Sequence, residues 1–426
     1  MPRLSLYHLP SASLACLIAA GIGGCGSREP ALKPAAAESG SPPVSKPMAS
    51  TPAAEASPAE CRKFADEFLQ AVETGKLNRL NEKFNWPALL DRATAGIEAP
   101  PQLQKPFKQN GARQAIDAER GFSAKLLETI KAGGKLTFLR VHDVDHGRRV
   151  MFRLVNKDSK LGYLDFVLGK NARDQLRIVD VDAAQDGQLL SATIREAYLQ
   201  RLADEQPQFG ASLAGDDRAF FEAAPQLTQI AAFRRTGNFR RAMESFEQLP
   251  RDVQTRKSFQ RLHVAIAQGL GDKAYADALD EFRARFPDDP SQNLLSADDY
   301  LRSKQYDKAA GCIHRLDQYV DDPYLGVMLA RLYLQAGEPQ MARDAADAAI
   351  RRAPRDLESY EARLSVSLEE KNFDETAWLL YFIGTRFGAK FHDLKKLPAY
   401  AEFVKSPQYT EWLKAQAAAP QQANTK

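Results

Sequence analysis

The chain has 426 residues, 58 Lys and Arg against 55 Asp and Glu, and a net charge of +3. That length exceeds one ordinary hydrophobic core, so at least two domains are expected. Near-balanced, interspersed charge lacks the basic face that nucleic-acid binding requires, so no DNA or RNA partner is expected.

Residues 1–24 read as a processing signal. Arg3 precedes the apolar run Leu14 to Ile22, which is too short to span a bilayer. The residues Ile22-Gly23-Gly24-Cys25 resemble the bacterial lipobox. That resemblance implies acylation of Cys25 and a chain lipid-anchored in the bacterial cell envelope. Gly26 and Ser27 follow where the family's inner-membrane retention signal would place Asp, which favours an outer membrane facing the periplasm if the host has two membranes. An ordinary secretory signal with an incidental Cys25 is the competing reading. Residues 25–59 are rich in Pro, Ala and Ser without aromatic residues, the composition of an extended tether. Of the remaining cysteines, Cys61 and Cys312 fall in different expected domains and are not expected to pair.

Residues 60–206 read as an α+β domain. Phe64, Phe68, Leu69 and Val72 share a helical stripe over 60–76, a short helix follows Trp86-Pro87, and a third helix is expected over about 112–132 before Gly133-Gly134. Four strands follow as an antiparallel four-stranded meander, over 136–144, 150–155, 163–168 and 176–181, separated by turn chemistry. The stretch FADEFLQAVETGKLNRLNEKFNWPALLDRATAG, with a meander closing on RIVDVDAAQDGQLLSATI, resembles a nuclear-transport-factor-2-like (SnoaL-like) domain. The resemblance implies a curved sheet wrapped into a cone whose mouth holds a small molecule or a partner. Arg153, Tyr163 and Asp165 are the candidate lining of that mouth, and an Asp beside a Tyr is a pair that acid–base chemistry would use. An exposed sheet face with a cross-strand charge pair is the alternative. The run His142-Asp143-Val144-Asp145-His146 superficially suggests a metal site. On a strand, however, i and i+4 lie some ~13 Å apart, and the expectation is a hairpin corner with no metal.

From 218 to 416 one small pattern occurs five times: Gly or Lys, a ring two positions on, and a small residue three later. The copies are Gly237/Phe239/Ala242, Lys273/Tyr275/Ala278, Lys304/Tyr306/Ala309, Gly337/Pro339/Ala342 and Lys371/Phe373/Thr376, with a period of about 34 residues. The fourth copy, with Leu329-Ala330-Arg331-Leu332-Tyr333, Gly337, Ala342, Ala346, Ala349 and Pro354, resembles the tetratricopeptide (TPR) consensus in type and spacing. The resemblance implies an all-α TPR solenoid of about five helix pairs, capped by amphipathic pieces in 397–413 and followed by a low-complexity tail at 417–426. By alignment to the family, His263, Asp298, Arg331 and Glu361 would line a concave peptide groove.

No nucleotide-binding glycine loop, zinc-type Cys/His spacing or serine elbow occurs, so neither catalysis nor a cofactor is expected. The expected function is a membrane-tethered TPR adaptor or scaffold that binds another protein. A small-molecule-binding or enzymatic cone domain localised by the repeats is the alternative, and a weaker resemblance points to the repeat lipoprotein of the outer-membrane barrel assembly machinery.

Overall fold

The structure is a computed structural model that describes residues 56–418 apart from 145–146, 158–159, 185–186, 288 and 392. The signal segment, Cys25, nearly all of the tether, the 419–426 part of the tail, Asp145 and His146 lie outside the described residues. The chain divides into two compact units at 292/293, each taken by itself below.

The first unit opens with helix α1 (Pro58–Glu73), started by a reciprocal cap. The Ser57 hydroxyl accepts from the Glu60 amide at 3.2 Å, and the Glu60 carboxylate accepts from the Ser57 amide at 2.7 Å. Its buried stripe is Cys61, Phe64, Ala65, Phe68, Ala71 and Val72. Helices α2 (Leu77–Asn81) and α3 (Trp86–Thr94) follow, the latter capped by the Asn85 side chain. The expected single helix before Gly133 is instead two, α4 (Pro101–Ala115) and α5 (Phe122–Lys131). The break is local chemistry. The Asp117 carboxylate accepts from the Glu119 and Arg120 amides at 2.9 and 2.7 Å, and a Cβ on Gly121 would sit 2.5 Å from the Ala115 carbonyl oxygen.

The meander is antiparallel and sequential: β1 (Lys135–Val144), β2 (Gly147–Val155), β3 (Leu161–Lys170), β4 (Leu176–Ala183) and β5 (Gln188–Leu189). The expected four strands are therefore five; two residues are too few to show alternation. One sheet face carries Val150, Phe152, Leu164, Phe166 and Ile178 into the core formed with α1. There the Phe68 ring lies 5.0 Å from Phe166, 5.4 Å from Phe152 and 6.4 Å from Phe84, which stacks on Trp86. The space between α1 and the sheet is filled by rings.

Helix α6 (Leu190–Glu205) returns across the layer. Its first turn is held by Asp180, fully buried, whose carboxylate accepts from the Ser191 amide at 3.0 Å and from the Ser191 hydroxyl. Helix α7 (Gly215–Arg235) packs directly on α6. The helices that follow α7 are α8 (Phe239–Glu247), α9 (Arg251–Gln254), α10 (Lys257–Ala267) and α11 (Asp272–Arg285). Within this set α7 packs on α8, α8 on α10 and α10 on α11, so the α+β layer and the first helix hairpins share one compact unit.

Helix α12 (Pro290–Arg302) contains the division point. Beyond it come α13 (Tyr306–Val320), α14 (Tyr324–Ala336), α15 (Pro339–Arg352), α16 (Leu357–Glu369), α17 (Phe373–Phe387), a run of short turns and α18 (Pro407–Ala418). In the second unit α14 packs on both α15 and α16, and α16 on α17. Close approach of α14 and α15 depends on small side chains: a Cβ on Gly326 would lie 3.0 Å from the Ala349 Cβ, and Ala330, Ala342 and Ala346 are fully buried. Phe403, Tyr409 and Trp412 close this core at its carboxyl-terminal end against Leu379, Leu380 and Ile383. No helix among the described residues is long and apolar enough to cross a membrane.

The five-copy pattern acquires a geometric meaning. Gly237, Lys304, Gly337 and Lys371 all have left-handed backbone, with φ of 73°, 58°, 79° and 56°. Each stands in the turn between two helices, where such a residue terminates the first. In the remaining copy, Gly271 at φ 114° serves the turn in place of Lys273. The small members Ala242, Ala278, Ala309, Ala342 and Thr376 are at most 2% exposed.

Candidate functional site

Strand alternation decides the fate of the residues expected at a cone mouth. Phe152 and Phe166 face the aromatic core, so Arg153 and Asp165 point to the opposite face, and Tyr163 joins them. Arg153 and Tyr163 are direct cross-strand partners, and all three residues are buried, at no more than 4% exposure. Arg153, Tyr163 and Asp165 thus lie on the sheet face away from α1, and they are buried and do not form the exposed sheet face that was the alternative expectation.

On that far face Asp165 is the centre of a charge cluster. His142 Nε2 lies 2.9 Å from its Oδ1, and Arg149 donates to its Oδ2 at 3.3 Å and to Asp182 Oδ2 at 3.2 Å. Burial pushes the Asp182 carboxyl up, the Asp165 charge adds to that, and Arg149 and Lys257 oppose it. Burial disfavours the charged Arg149 guanidinium, but the two carboxylates outweigh it and hold its pKa above the ordinary arginine value. Asp165 therefore has two side-chain partners, His142 and Arg149, on this face of the sheet. Among the described residues no group of three or more His, Cys, Asp or Glu is placed to hold a metal ion. His142 lies in β1, whose last residue Val144 pairs with Gly147.

A second acid with a raised pKa, partly buried, lies on α6. The Glu196 carboxyl is raised to about 7, mainly by burial, against the pull of Gln188, Arg261 and Ser258. Nothing in the sequence singled it out, because its surroundings come from β5 and α10.

The four expected groove residues are divided between the two units. His263, on α10, belongs to the first unit, where its ring stacks on Phe246 at 5.1 Å and its Nδ1 lies 3.6 Å from Glu281. Burial pulls its pKa below the usual histidine value, against Glu281 and Glu247. Asp298, Arg331 and Glu361 belong to the second unit. Asp298 is 1% exposed, with Arg302 Nε at 3.7 Å. Arg331 on α14 is partly exposed, and Glu361 on α16 is exposed beside Tyr400, whose pKa it helps burial to raise.

The second unit also holds an arginine–carboxylate network that has no signature in the sequence. Arg363, 5% exposed, bonds Glu375 and lies 2.9 Å from Asp347, while Arg343 binds Glu370 with two nitrogens and lies 3.5 Å from Glu375. This network ties α15, α16 and α17 together. Arg352 similarly joins α15 to α13, contacting Asp317 at 2.7 and 3.0 Å and Asp321 at 2.8 Å.

At the carboxyl-terminal end, α17 and α18 enclose a surface cleft of about 260 Å³. Its walls are two stripes at helical spacing, Asp374, Ala377 and Tyr381 on α17, and Gln408, Glu411, Trp412 and Ala415 on α18. Trp378 on the same helix is 55% exposed and Tyr381 50%. Trp378 stacks on Phe382 at 5.2 Å, and Phe382 in turn lies 4.8 Å from Tyr360. The stretch Trp378 to Ile383 is apolar on every face of the helix, a legible signal that one side has no place in the core.

No family model matches the chain, and no curated protein matches it at a significant level. Cys61 and Cys312 are both buried, free thiols.

Proposed function

We propose that this chain is a membrane-tethered bacterial envelope lipoprotein whose tetratricopeptide-type helix pairs capture a segment of another protein. The observation that carries the reading is the repeated hairpin. Four of the five Gly/Lys positions adopt the left-handed turn conformation, and every small partner is buried between helices. A helix pair of that kind cannot cover its own apolar face, so pairs stack and leave a continuous row of leading helices for recognition. Within the second unit, α14 lies against α16, the arrangement that such stacking requires. Arg331 and Glu361, on those two leading helices, are the candidate groove contacts. The nuclear-transport-factor-2-like reading of residues 60–206 fits helices preceding an antiparallel meander, and the ring-filled space between α1 and the sheet favours a docking or spacer role over a ligand cone. Lipidation of Cys25 supplies the anchor.

The test is crosslinking of the anchored protein in its host, followed by identification of what co-purifies. A defined partner whose capture weakens in the double variant Arg331→Glu with Glu361→Lys supports the adaptor. Absence of any specific crosslinked protein overturns it.

A further inference from the structure

We infer that the cleft between α17 and α18 is a second docking site, one that takes a cationic, partly apolar segment of a protein partner. The inference rests on the adaptor reading but concerns a different surface from the leading-helix groove. Four features of the cleft select the occupant. At about 260 Å³ it falls just below the ordinary range of small-molecule pockets, roughly 300–1,000 Å³, and matches one or two large side chains. Its lining includes two carboxylates, Asp374 and Glu411, and no basic residue, so a Lys or Arg head finds opposite charge there. Ala377, Ala415 and the rings of Tyr381 and Trp412 offer apolar and π surface along which the aliphatic stem of such a side chain can lie. Trp412 is 4% exposed, so its ring is a fixed part of the wall and not a side chain that must be ordered on binding.

Next to the cleft lining, the half-exposed Trp378 stands between Asp374 and Tyr381 along α17 and adds apolar surface. Its stacking on Phe382, itself against Tyr360, holds the ring in place before a partner arrives. Asp374 accepts from Gln408 Nε2 at 3.1 Å, a hydrogen bond that joins the two walls and fixes their separation.

The experiment uses the full chain and two synthetic probes, a short amphipathic helical peptide of Leu, Ala and Lys and its counterpart with Glu in place of Lys. Binding is read by tryptophan fluorescence, since two of the three tryptophans, Trp378 and Trp412, lie at this surface and Trp86 is buried elsewhere. The Lys peptide is expected to bind and the Glu peptide not. Glu411→Lys, and Asp374→Lys with Glu411→Lys, should weaken the Lys peptide at least ~10-fold, and Trp378→Ala should weaken it several-fold. Glu411 lies outside the first turn of its helix, so the single variant keeps the test valid if the double variant loses its fold. Equal binding of both peptides, unchanged affinity in the variants, or no binding of the Lys peptide below ~1 mM overturns the inference. So does binding that emerges only when the chain is cut after residue 418, because the chain's own tail is then the occupant. Partner capture in the host that survives Glu411→Lys keeps the adaptor and removes this cleft. Absence of capture alongside charge-selective peptide binding removes the adaptor and keeps the cleft.

Discussion

Lys304 and Lys371 occupy left-handed backbone that costs an ordinary residue about 1 kcal/mol more than glycine. Lys371→Gly is therefore expected to leave the melting temperature unchanged or raise it, whereas Gly337→Val, at φ 79°, should lower stability by at least ~1 kcal/mol in urea titrations. Ala309 and Ala342 have the opposite sensitivity: both are fully buried, so Ala342→Leu should cost ~1–3 kcal/mol by overpacking. Glu196 contributes a pH dependence. Its folded pKa is raised to about 7, so the folded chain holds a proton that the unfolded chain has released. The contribution is fully present below the unfolded glutamate value and is lost as pH rises toward about 7. Denaturant melts between about pH 5 and about pH 8 should show stability falling by at most ~3 kcal/mol, and Glu196→Gln should flatten that slope.

At the scale of elements, two arginine networks tie helices of the second unit together with different strengths. Arg352 and Asp317 keep a quarter to a third of their side chains in solvent and Asp321 about two thirds, so Arg352→Ala should cost only about 1 kcal/mol. Arg363 is nearly buried among Asp347, Glu370 and Glu375, and Arg363→Ala leaves Glu370 and Glu375 to Arg343; the expected loss is ~3 kcal/mol. Arg363→Met with Glu375→Leu removes charge on both sides and should recover much of it, which a double-mutant cycle by urea titration reads directly. The sheet shows how much depends on register. Phe152 and Arg153 are neighbours in sequence, yet one lies in the ring-filled core and the other on the far face, because the side-chain period of a strand is two. Alternation was visible in the sequence; which of the two faces would receive α1 was not.

For the whole molecule, the proposed role joins an anchor at one end to recognition surfaces at the other. Cys25→Ser is expected to move the protein from the membrane to the soluble fraction, with loss of the acyl mass from its amino-terminal peptide; persistence in the membrane fraction with unchanged mass would refute the anchor. Partner capture should survive that variant in extracts, since recognition resides in the helices. The helix hairpins were readable because their turn, ring and small residue lie within six positions of one another. The separation of His263 from Asp298, Arg331 and Glu361 into two units was not readable, because it depends on how helices far apart in the chain pack.

By itself the amino-acid sequence determined the helix pairs, the order of strands and the residues able to turn the chain, all consequences of capping, periodicity and backbone freedom over a few neighbours. Tertiary structure alone decided that Arg153, Tyr163, Asp165 and Asp298 would be buried, that Glu196 would hold its proton, and that two helical stripes would meet as an acidic, ring-walled cleft. Burial and electrostatic environment are sums over residues distant in sequence, and only the packed chain brings those residues within reach of one another.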